Sequence, residues 1–476
     1  MPRRLTLQEA SKEFGIPVRK LAYLVRKGLL QAEMEGERLL IPHSALRRYA
    51  DQPREVVEQH HVSYLKTLGP GIITGASDDD PSGIGTYSSV GSTYGLTLAW
   101  LAVYLLPMMM AVQETVARIG IVTQSGLAHV IGRRYGKPML YPLVALLLVA
   151  NTVNIGADIG AMVASFQLLV PVGFVPGVIG LTVFITALEI LVPYHRYSRI
   201  LKWLTLSLAA YILTGFIIKP DWAAVLHAVV IPHFEPTAAF LAAMVAVMGT
   251  TITPYLFFWQ ASEEVEEELD QGEIGDFHVT AINHEVSEMR KDTFAGMALA
   301  NVVFLFIVVT TAFVLHDNGI TNVDSAQKAA LALKPLAGNL AYLLFTTGIF
   351  GVGLLAVPVL AGASAYAVAE LFNWREGLSE KFQSARGFYL VIVASMFAGM
   401  LLNFLGINPI KALYYAAIVN GVIAPILMFF IFKIGRDKQV MGQFTSPRWV
   451  NVWGWIVTML MGGCAIALFV LAALGK

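Results

Sequence analysis

Charged residues are scarce in this chain. Only 14% of its 476 residues are Asp, Glu, Lys or Arg, against roughly 25% in soluble globular proteins. The scarcity is uneven, because the first 66 residues hold 20 of the 66 charged residues. The composition therefore excludes an ordinary soluble enzyme and indicates a membrane protein preceded by a small polar domain.

Cysteine is almost absent, and the formal net charge is zero. The single cysteine, Cys464, lies in an apolar run, so the sequence offers neither a disulfide framework nor a cysteine-based metal site. The balanced charge argues against a polyanionic partner. Residues 1–60 lack the apolar core of a signal peptide, so the first hydrophobic segment is expected to act as an uncleaved membrane signal.

Long apolar runs fill the rest of the chain. A spanning helix needs about 20 predominantly apolar residues, and eleven runs meet that need. They lie at residues 66–94, 96–122, 139–169, 172–192, 200–218, 237–262, 295–316, 338–372, 387–406, 411–433 and 449–474. We therefore predict an all-α polytopic membrane protein, because lipid offers backbone groups no hydrogen-bond partners.

The distribution of Lys and Arg predicts the orientation in the cell membrane. If the N-terminus is inside, the inner loops between the predicted helices hold sixteen Lys or Arg and the outer side holds five. Cytoplasmic loops carry such an excess of positive charge. We predict a cytoplasmic N-terminus and, with eleven helices, an external C-terminus.

The polar N-terminal segment has the pattern of a separate domain. Thr6 can cap a helix over residues 7–14, and a second helix is expected over residues 18–27. A hairpin-like stretch over residues 30–41 then precedes a third helix begun by Pro42 and Ser44. This order resembles the small winged helix-turn-helix domains of the excisionase and MerR type.

That resemblance implies three units: a cytoplasmic domain over residues 1–52, a linker over 53–65 and a transmembrane domain over 66–476. Phosphate contacts of such domains come from cations beside the recognition helix, here Arg19, Lys20, Arg26 and Lys27. DNA binding through residues 1–50 is therefore an alternative. A regulatory or assembly role is favoured, because a membrane anchor limits access to DNA.

Two of the eleven predicted helices are interrupted. The first contains Asp80-Pro81 and the sixth contains Thr253-Pro254, each near the middle of its apolar run. Proline cannot continue the helical hydrogen-bond ladder, and it pushes the preceding residue out of helical geometry. Broken helices in corresponding positions of two five-helix halves indicate an inverted-repeat transporter with a midplane site. We predict a LeuT-like 5+5 repeat with an appended eleventh helix.

Asp80 is the strongest candidate for a metal ligand. A carboxylate at the bilayer centre is costly and rarely kept without a partner, and Asp80 stands at the break beside freed carbonyl oxygens. Its alternative role is the N-cap of the second half-helix. We interpret Asp78 and Asp79 as rim or capping residues.

Four short motifs follow one another along the first six predicted helices. They are Gly69-Pro70-Gly71, Asp80-Pro81-Ser82-Gly83, Arg118 to Thr123 and Gly249 to Pro254. Over about residues 64–434 the chain resembles the NRAMP divalent-metal transporters. In that family Asp-Pro-Gly-Asn marks helix 1, and Ala and Met precede Pro-His in helix 6.

The chain departs from this pattern at several positions. Asp80 matches the family Asp, but Gly83 stands for the Asn, Thr250 and Thr253 for the Ala and Met, and Tyr255 for the His. These departures resemble the NRAMP-related magnesium transporter branch. They leave oxygen ligands without the soft sulfur that suits transition metals, in a roomy site fit for hydrated Mg²⁺. Mn²⁺ is also hard enough to bind there.

The resemblance therefore implies a site of Asp80, Gly83, Thr250 and Thr253. Asp79, Ser82, Tyr255 and Asn420 are secondary candidates, of which Asn420 matches a family Gln that moves toward the ion. The ion is the transported substrate, and no cofactor or enzymatic activity is expected.

The residues of the family's proton relay are replaced. Asn154 and Ala157 stand at the positions of an Asp and a Glu in helix 3, and Tyr255 replaces the His. Asp158 remains one residue from the expected face, where packing or pairing is favoured over a relay. We therefore predict Mg²⁺ uptake by alternating access without proton coupling.

Three alternatives stay open. One is a proton-coupled Mn²⁺ or Fe²⁺ importer of the NRAMP type, and another is an amino-acid symporter, whose substrate carboxylate Asp80 would repel. The third is a membrane-tethered, metal-sensing DNA-binding regulator.

Other acidic and histidine residues are given structural roles. Glu114 and Glu189 are expected to pair with Arg118 and nearby loop cations. The acidic run over residues 263–268 could sense metal, but a solvated helix extension is favoured, and His60-His61 have no zinc-like spacing.

Overall fold

A computed structural model describes residues 4–14, 21, 25, 30–35, 38–51, 70–192, 205–271, 279–378 and 380–474. Near the N-terminus it contains a three-stranded antiparallel sheet of β1 (Arg4–Thr6), β2 (Glu33–Glu35) and β3 (Arg38–Pro42), with β3 in the middle. Two helices accompany the sheet, α1 (Leu7–Phe14) and α2 (His43–Asp51).

Thr6 caps the N-terminus of α1, as predicted. Its hydroxyl accepts a hydrogen bond from the Glu9 amide at 3.3 Å, while the Glu9 carboxylate accepts from the Thr6 amide at 2.9 Å. These reciprocal bonds form a capping box. The strands β2 and β3 confirm the hairpin-like stretch. The helix over residues 18–27 and the linker over 53–65 lie outside the described residues except for Leu21 and Val25, so the winged helix-turn-helix class stays a prediction.

The remaining described residues are mostly helical. The α-helices are α3 (Pro70–Asp78), α4 (Pro81–Tyr94), α5 (Leu101–Thr123), α6 (Leu127–Tyr135), α7 (Lys137–Phe166), α8 (Phe174–Leu191), α9 (Ala209–Ile217), α10 (Trp222–Val230), α11 (Ala238–Thr251), α12 (Pro254–Gln271), α13 (Val279–Val314), α14 (Ala326–Leu331), α15 (Lys334–Ala337), α16 (Ala341–Phe372), α17 (Arg386–Leu402), α18 (Pro409–Gly435), α19 (Lys438–Met441) and α20 (Arg448–Ala473).

Nine helical stretches among the described residues are long and apolar enough to cross a membrane. Each coincides with one of the predicted apolar runs. The two other runs contain α3 with α4, which are separate short helices, and α9, whose run lies partly outside the described residues. The prediction of a helical, multi-pass membrane protein is confirmed.

Both predicted helix breaks are present. Asp79 and Asp80 separate α3 from α4, and Ile252 and Thr253 separate α11 from α12, so each second half begins with a proline. Asp80 is extended, with ψ of 173°. The breaks therefore follow from the local effect of Pro81 and Pro254.

Small residues bring the helices that carry the breaks close to their neighbours. A Cβ on Gly249 of α11 would lie 2.1 Å from the Ala417 carbonyl oxygen and 2.3 Å from the Gly421 amide nitrogen of α18. A side chain at this position is incompatible with the observed distance. Close contact through small residues is typical of helix packing in membranes, and here it holds Thr250 and Thr251 in the interior.

Candidate metal site at the two helix breaks

Asp80 lies at the centre of the first break and is fully buried. Its Oδ1 atom accepts hydrogen bonds from the Gly83 amide at 2.9 Å and from the Ser82 hydroxyl at 2.5 Å. These contacts make Asp80 the N-cap of α4. The capping role that was the alternative at Asp80 is therefore present, and it is compatible with metal binding because a carboxylate has further lone pairs.

The second oxygen of Asp80 faces α7 and α12. Asn154 donates its side-chain amide to Oδ2 at 2.9 Å, and the Tyr255 hydroxyl lies 3.5 Å from the same atom. Tyr255 also donates to the Ser77 carbonyl oxygen at 2.7 Å. Asn154 and Tyr255, the residues at two positions of the family's proton relay, thus both lie beside Asp80.

Thr250 joins the two breaks. Its hydroxyl lies 3.0 Å from the Ser82 hydroxyl. A Cβ added to Gly83 would stand 3.6 Å from the Thr250 hydroxyl oxygen and 3.3 Å from the Tyr87 ring. Position 83 is therefore closely packed between Tyr87 and Thr250, and it does not provide the roomy pocket that the sequence predicted.

Two further candidates lie nearby. Thr253 is fully buried in the second break, and its hydroxyl has no hydrogen-bond partner among the described residues. Asn420 reaches the cluster indirectly, because its amide donates to the Asn154 side-chain oxygen at 3.3 Å. The structure thus places Asn420 next to Asn154 and one residue removed from Asp80.

The interpretation of Asp78 and Asp79 as rim or capping residues is wrong. Their exposed fractions are 0% and 3%, so neither lies at a solvated rim, and Asp80 is the cap. Neither oxygen of Asp78 has a hydrogen-bond partner among the described residues. The sequence shows three adjacent carboxylates, but their burial depends on how the helices around the break pack.

Asp158 faces the site, contrary to the expectation that it lies one residue off. It is fully buried on α7, and its Oδ2 atom lies 3.3 Å from the Asn154 amide nitrogen. The predicted pairing is therefore present. The four-residue spacing of Asn154 and Asp158 was the available signal, since such residues share one helix face.

Three glutamates of the acidic run over residues 263–268 are buried, so the prediction of a solvated helix extension is wrong for this part of the run. Glu263, Glu264 and Glu266 have exposed fractions of 6%, 7% and 6%. Glu266 accepts a hydrogen bond from the Tyr366 hydroxyl at 2.5 Å, and Glu264 accepts from Gln260 at 2.8 Å. These partners come from α12 itself and from α16.

The pairing of Glu114 is confirmed. It contacts Arg118 one turn later on α5 and accepts from Arg290 of α13 at 2.9 Å. The loop cations expected near Glu189 lie between residues 193 and 204, outside the described residues.

The donors at the two breaks are oxygen atoms of hydroxyl, amide and carboxylate groups. Within the described ranges, no group of three or more His, Cys, Asp and Glu side chains is arranged to hold a metal ion. A cation at the breaks would therefore rely on a small number of carboxylates together with neutral oxygen donors. Such a donor set suits hard divalent cations.

Comparison with known proteins places this geometry in context. Residues 71–471 match the family described as natural resistance-associated macrophage protein-like (Nramp). The divalent metal cation transporter MntH of Chromohalobacter salexigens is 27% identical over 413 residues, covering 84% of this chain and 90% of that protein. MntH of Yersinia pestis is 26% identical over 420 residues, covering 84% and 93%.

A solved structure shares the fold. The manganese transporter of Eremococcus coleocola, crystallised with an aromatic bis-isothiourea substituted compound, superimposes with a TM-score of 0.71 at 17% sequence identity. The superposition covers 87% of this chain and 88% of that one.

Proposed function

The chain belongs to the Nramp family, and from this membership we propose that its two broken helices bind and carry a divalent metal ion across the membrane. It is a multi-pass membrane protein and a divalent metal transporter of the Nramp type. The ion is a substrate that passes through the site. Alternating access around a midplane site at discontinuous helices is the general mechanism for such folds.

Mg²⁺ is the ion that we propose for the site, and the observation that supports it is the oxygen-only composition of the cluster. Asp80, Ser82 and Thr250 provide a carboxylate and two hydroxyls, and the Ser82 hydroxyl lies within hydrogen-bond distance of both Asp80 and Thr250. Mg²⁺ usually retains several waters and takes one or two carboxylates.

Transport without protons is the second part of this proposal. Asn154 and Tyr255 contact Asp80, and an amide and a phenol at these positions do not titrate near neutral pH. The membrane potential is sufficient to drive uptake, since moving two charges through 100 mV releases about 4.6 kcal/mol. That energy corresponds to roughly 10³-fold accumulation.

Proton-coupled import of Mn²⁺ or Fe²⁺ is the second candidate function. The comparisons favour it over the magnesium proposal, because the relatives are named MntH and the solved structure is that of a manganese transporter. Mn²⁺ also accepts oxygen ligands. For this candidate function, the relevant carboxylate near the site is Asp158, which is buried beside Asn154.

One measurement separates the two candidates. The purified protein is reconstituted into liposomes, and uptake of Mg²⁺ and of Mn²⁺ is recorded together with internal pH at an imposed negative-inside potential. Mg²⁺ entry at constant internal pH supports the first candidate. Preference for Mn²⁺ with acidification that scales with metal entry supports the second, and entry of neither ion refutes divalent metal transport.

The N-terminal domain is proposed to regulate or assemble the transporter. If residues 1–52 instead bind DNA, fluorescence anisotropy with duplex DNA will show salt-dependent binding by the full chain, because phosphate contacts release counterions.

A further inference from the structure

The two carboxylates Asp78 and Asp80 are compensated differently at the first break. Asp80 caps α4, so its charge faces the positive end of that helix, and both of its oxygens accept hydrogen bonds. Asp78 is equally buried, but neither of its oxygens has a hydrogen-bond partner in the described part of the chain. Among the described residues, Asp78 therefore has no counterpart to the positive helix end that faces Asp80.

Asp78 also lies at the negative end of a helix. It is the last residue of α3, where the final carbonyl groups are unpaired within the helix and favour cations. Its backbone oxygen lies 3.4 Å from the position of a Cβ on Gly83, and the same Cβ position is 3.6 Å from the Thr250 hydroxyl. The end of α3 thus lies close to residues of both broken helices.

The end of α3 also contacts the second break. The Tyr255 hydroxyl, on α12, donates to the carbonyl oxygen of Ser77, the residue before Asp78, at 2.7 Å. The same hydroxyl lies 3.5 Å from Oδ2 of Asp80. A cation between the breaks would therefore lie beside both the end of α3 that carries Asp78 and the Asp80 carboxylate.

We propose that Asp78 supplies the second carboxylate to the transported divalent cation. The inference rests on the proposed function and deepens it, because it names a specificity-determining residue of the same site. Two carboxylates balance the two charges of the ion. The buried Asp78 acquires its positive partner when the ion binds.

The test is divalent-ion uptake and calorimetric binding by the full-length protein with Mg²⁺ and Mn²⁺ as probes. Asp78→Asn should raise the half-saturating concentration at least about tenfold, as expected for the loss of one full charge near the ion. The matched control is Glu189→Gln. Glu189 is likewise a buried membrane carboxylate with no hydrogen-bond partner among the described residues, but it lies on α8, away from the breaks, and its variant should match the parent.

Several outcomes would overturn the assignment. Parental affinity in Asp78→Asn overturns it directly. An equal loss of affinity in Asp79→Asn also overturns it, because the effect would then come from the total charge of the segment. If Asp78→Asn does not fold, Asp78→Glu replaces it and should weaken binding while Glu189→Asp does not. If the parent protein carries neither ion, the proposed function fails, which is a different result from failure of the Asp78 assignment alone.

Discussion

The side-chain amide of Asn154 donates a hydrogen bond of 2.9 Å to Oδ2 of Asp80. This contact joins α7 to the break between α3 and α4. Because an amide does not titrate, Asn154 holds the Asp80 carboxylate in place without exchanging a proton with it. The same amide nitrogen lies 3.3 Å from Asp158, so one neutral side chain separates two buried carboxylates.

The first prediction concerns Asp80. Asp80→Ala should abolish divalent-ion uptake, because it removes the carboxylate at the first break that faces Tyr255 of the second broken helix. It also removes the cap of α4, at a stability cost of about 1 kcal/mol. Asp80→Asn separates the two effects, since Asn caps equally well, and it should fold normally yet fail to transport. Calorimetric binding of Mg²⁺ or Mn²⁺ at the parental affinity in either variant would show that the site lies elsewhere.

The second prediction concerns the driving force. Divalent-ion entry into liposomes should follow the imposed membrane potential and leave internal pH unchanged, because Asn154 and Tyr255 provide no titrating group beside Asp80. Asn154→Asp is the informative variant, since it places an ionisable carboxyl within hydrogen-bond distance of Asp80. We expect its uptake to become dependent on pH. Metal-dependent acidification in the parent protein would contradict the prediction and favour the proton-coupled candidate.

The third prediction concerns selectivity. Thr253→Met combined with Gly83→Asn should improve Cd²⁺ or Mn²⁺ binding and weaken Mg²⁺ binding, because a soft sulfur ligand and a narrower pocket favour transition metals. The change should be on the order of 10²-fold at most for one sulfur ligand. The Tyr87 ring must move slightly in the double variant, since a Cβ at position 83 lies only 3.3 Å from it.

Competition for uptake by Cd²⁺ measures this change. The double variant should compete better for Cd²⁺ than either single variant. An unchanged ranking of metals in all three variants would mean that position 253 does not contact the ion.

The fourth prediction concerns stability. Glu114→Ala should lower the free energy of unfolding by about 3–5 kcal/mol, because it leaves the buried Arg118 guanidinium without its carboxylate. Glu288 provides the control, since it forms an exposed pair with Lys291 and such pairs contribute little. Thermal unfolding in detergent compares the two variants. Equal transition temperatures for Glu114→Ala and Glu288→Ala would show that the buried pair is not stabilising.

The fifth prediction concerns orientation. The charge distribution places Arg133 inside and Lys334 outside, and both are exposed. In a Cys464→Ser background, a membrane-impermeant maleimide added to intact cells should label Lys334→Cys and not Arg133→Cys. The reverse pattern would place the N-terminus outside.

Local chemistry explains which features of the fold could be predicted. Pro81 and Pro254 break their helices through their own ring geometry, and apolar runs of sufficient length form helices in lipid, so both features follow from short stretches of sequence. The hairpin before α2 and the cap at Thr6 are equally local. Asn154, Tyr255 and Thr250 were placed near Asp80 only through the family resemblance, and the structure brings all three to it or to its neighbour Ser82.

Contacts between distant segments determine which acidic side chains are buried and which hydrogen-bond partners they have. The acidic residues after Ser262 were predicted to form a solvated helix extension. Glu266 is instead buried, and the Tyr366 hydroxyl on α16 donates a hydrogen bond to it. Asp158 faces the site because of the way α7 packs against the first break. The sequence had placed it one residue away from the expected helix face. The sequence distinguished Asp80 by its position before Pro81, but it did not distinguish Asp78 from Asp79. Its lack of a partner depends on which donors the folded helices bring within hydrogen-bond distance, and that is a property of the packing, because a hydrogen bond requires two atoms that only the tertiary fold places together.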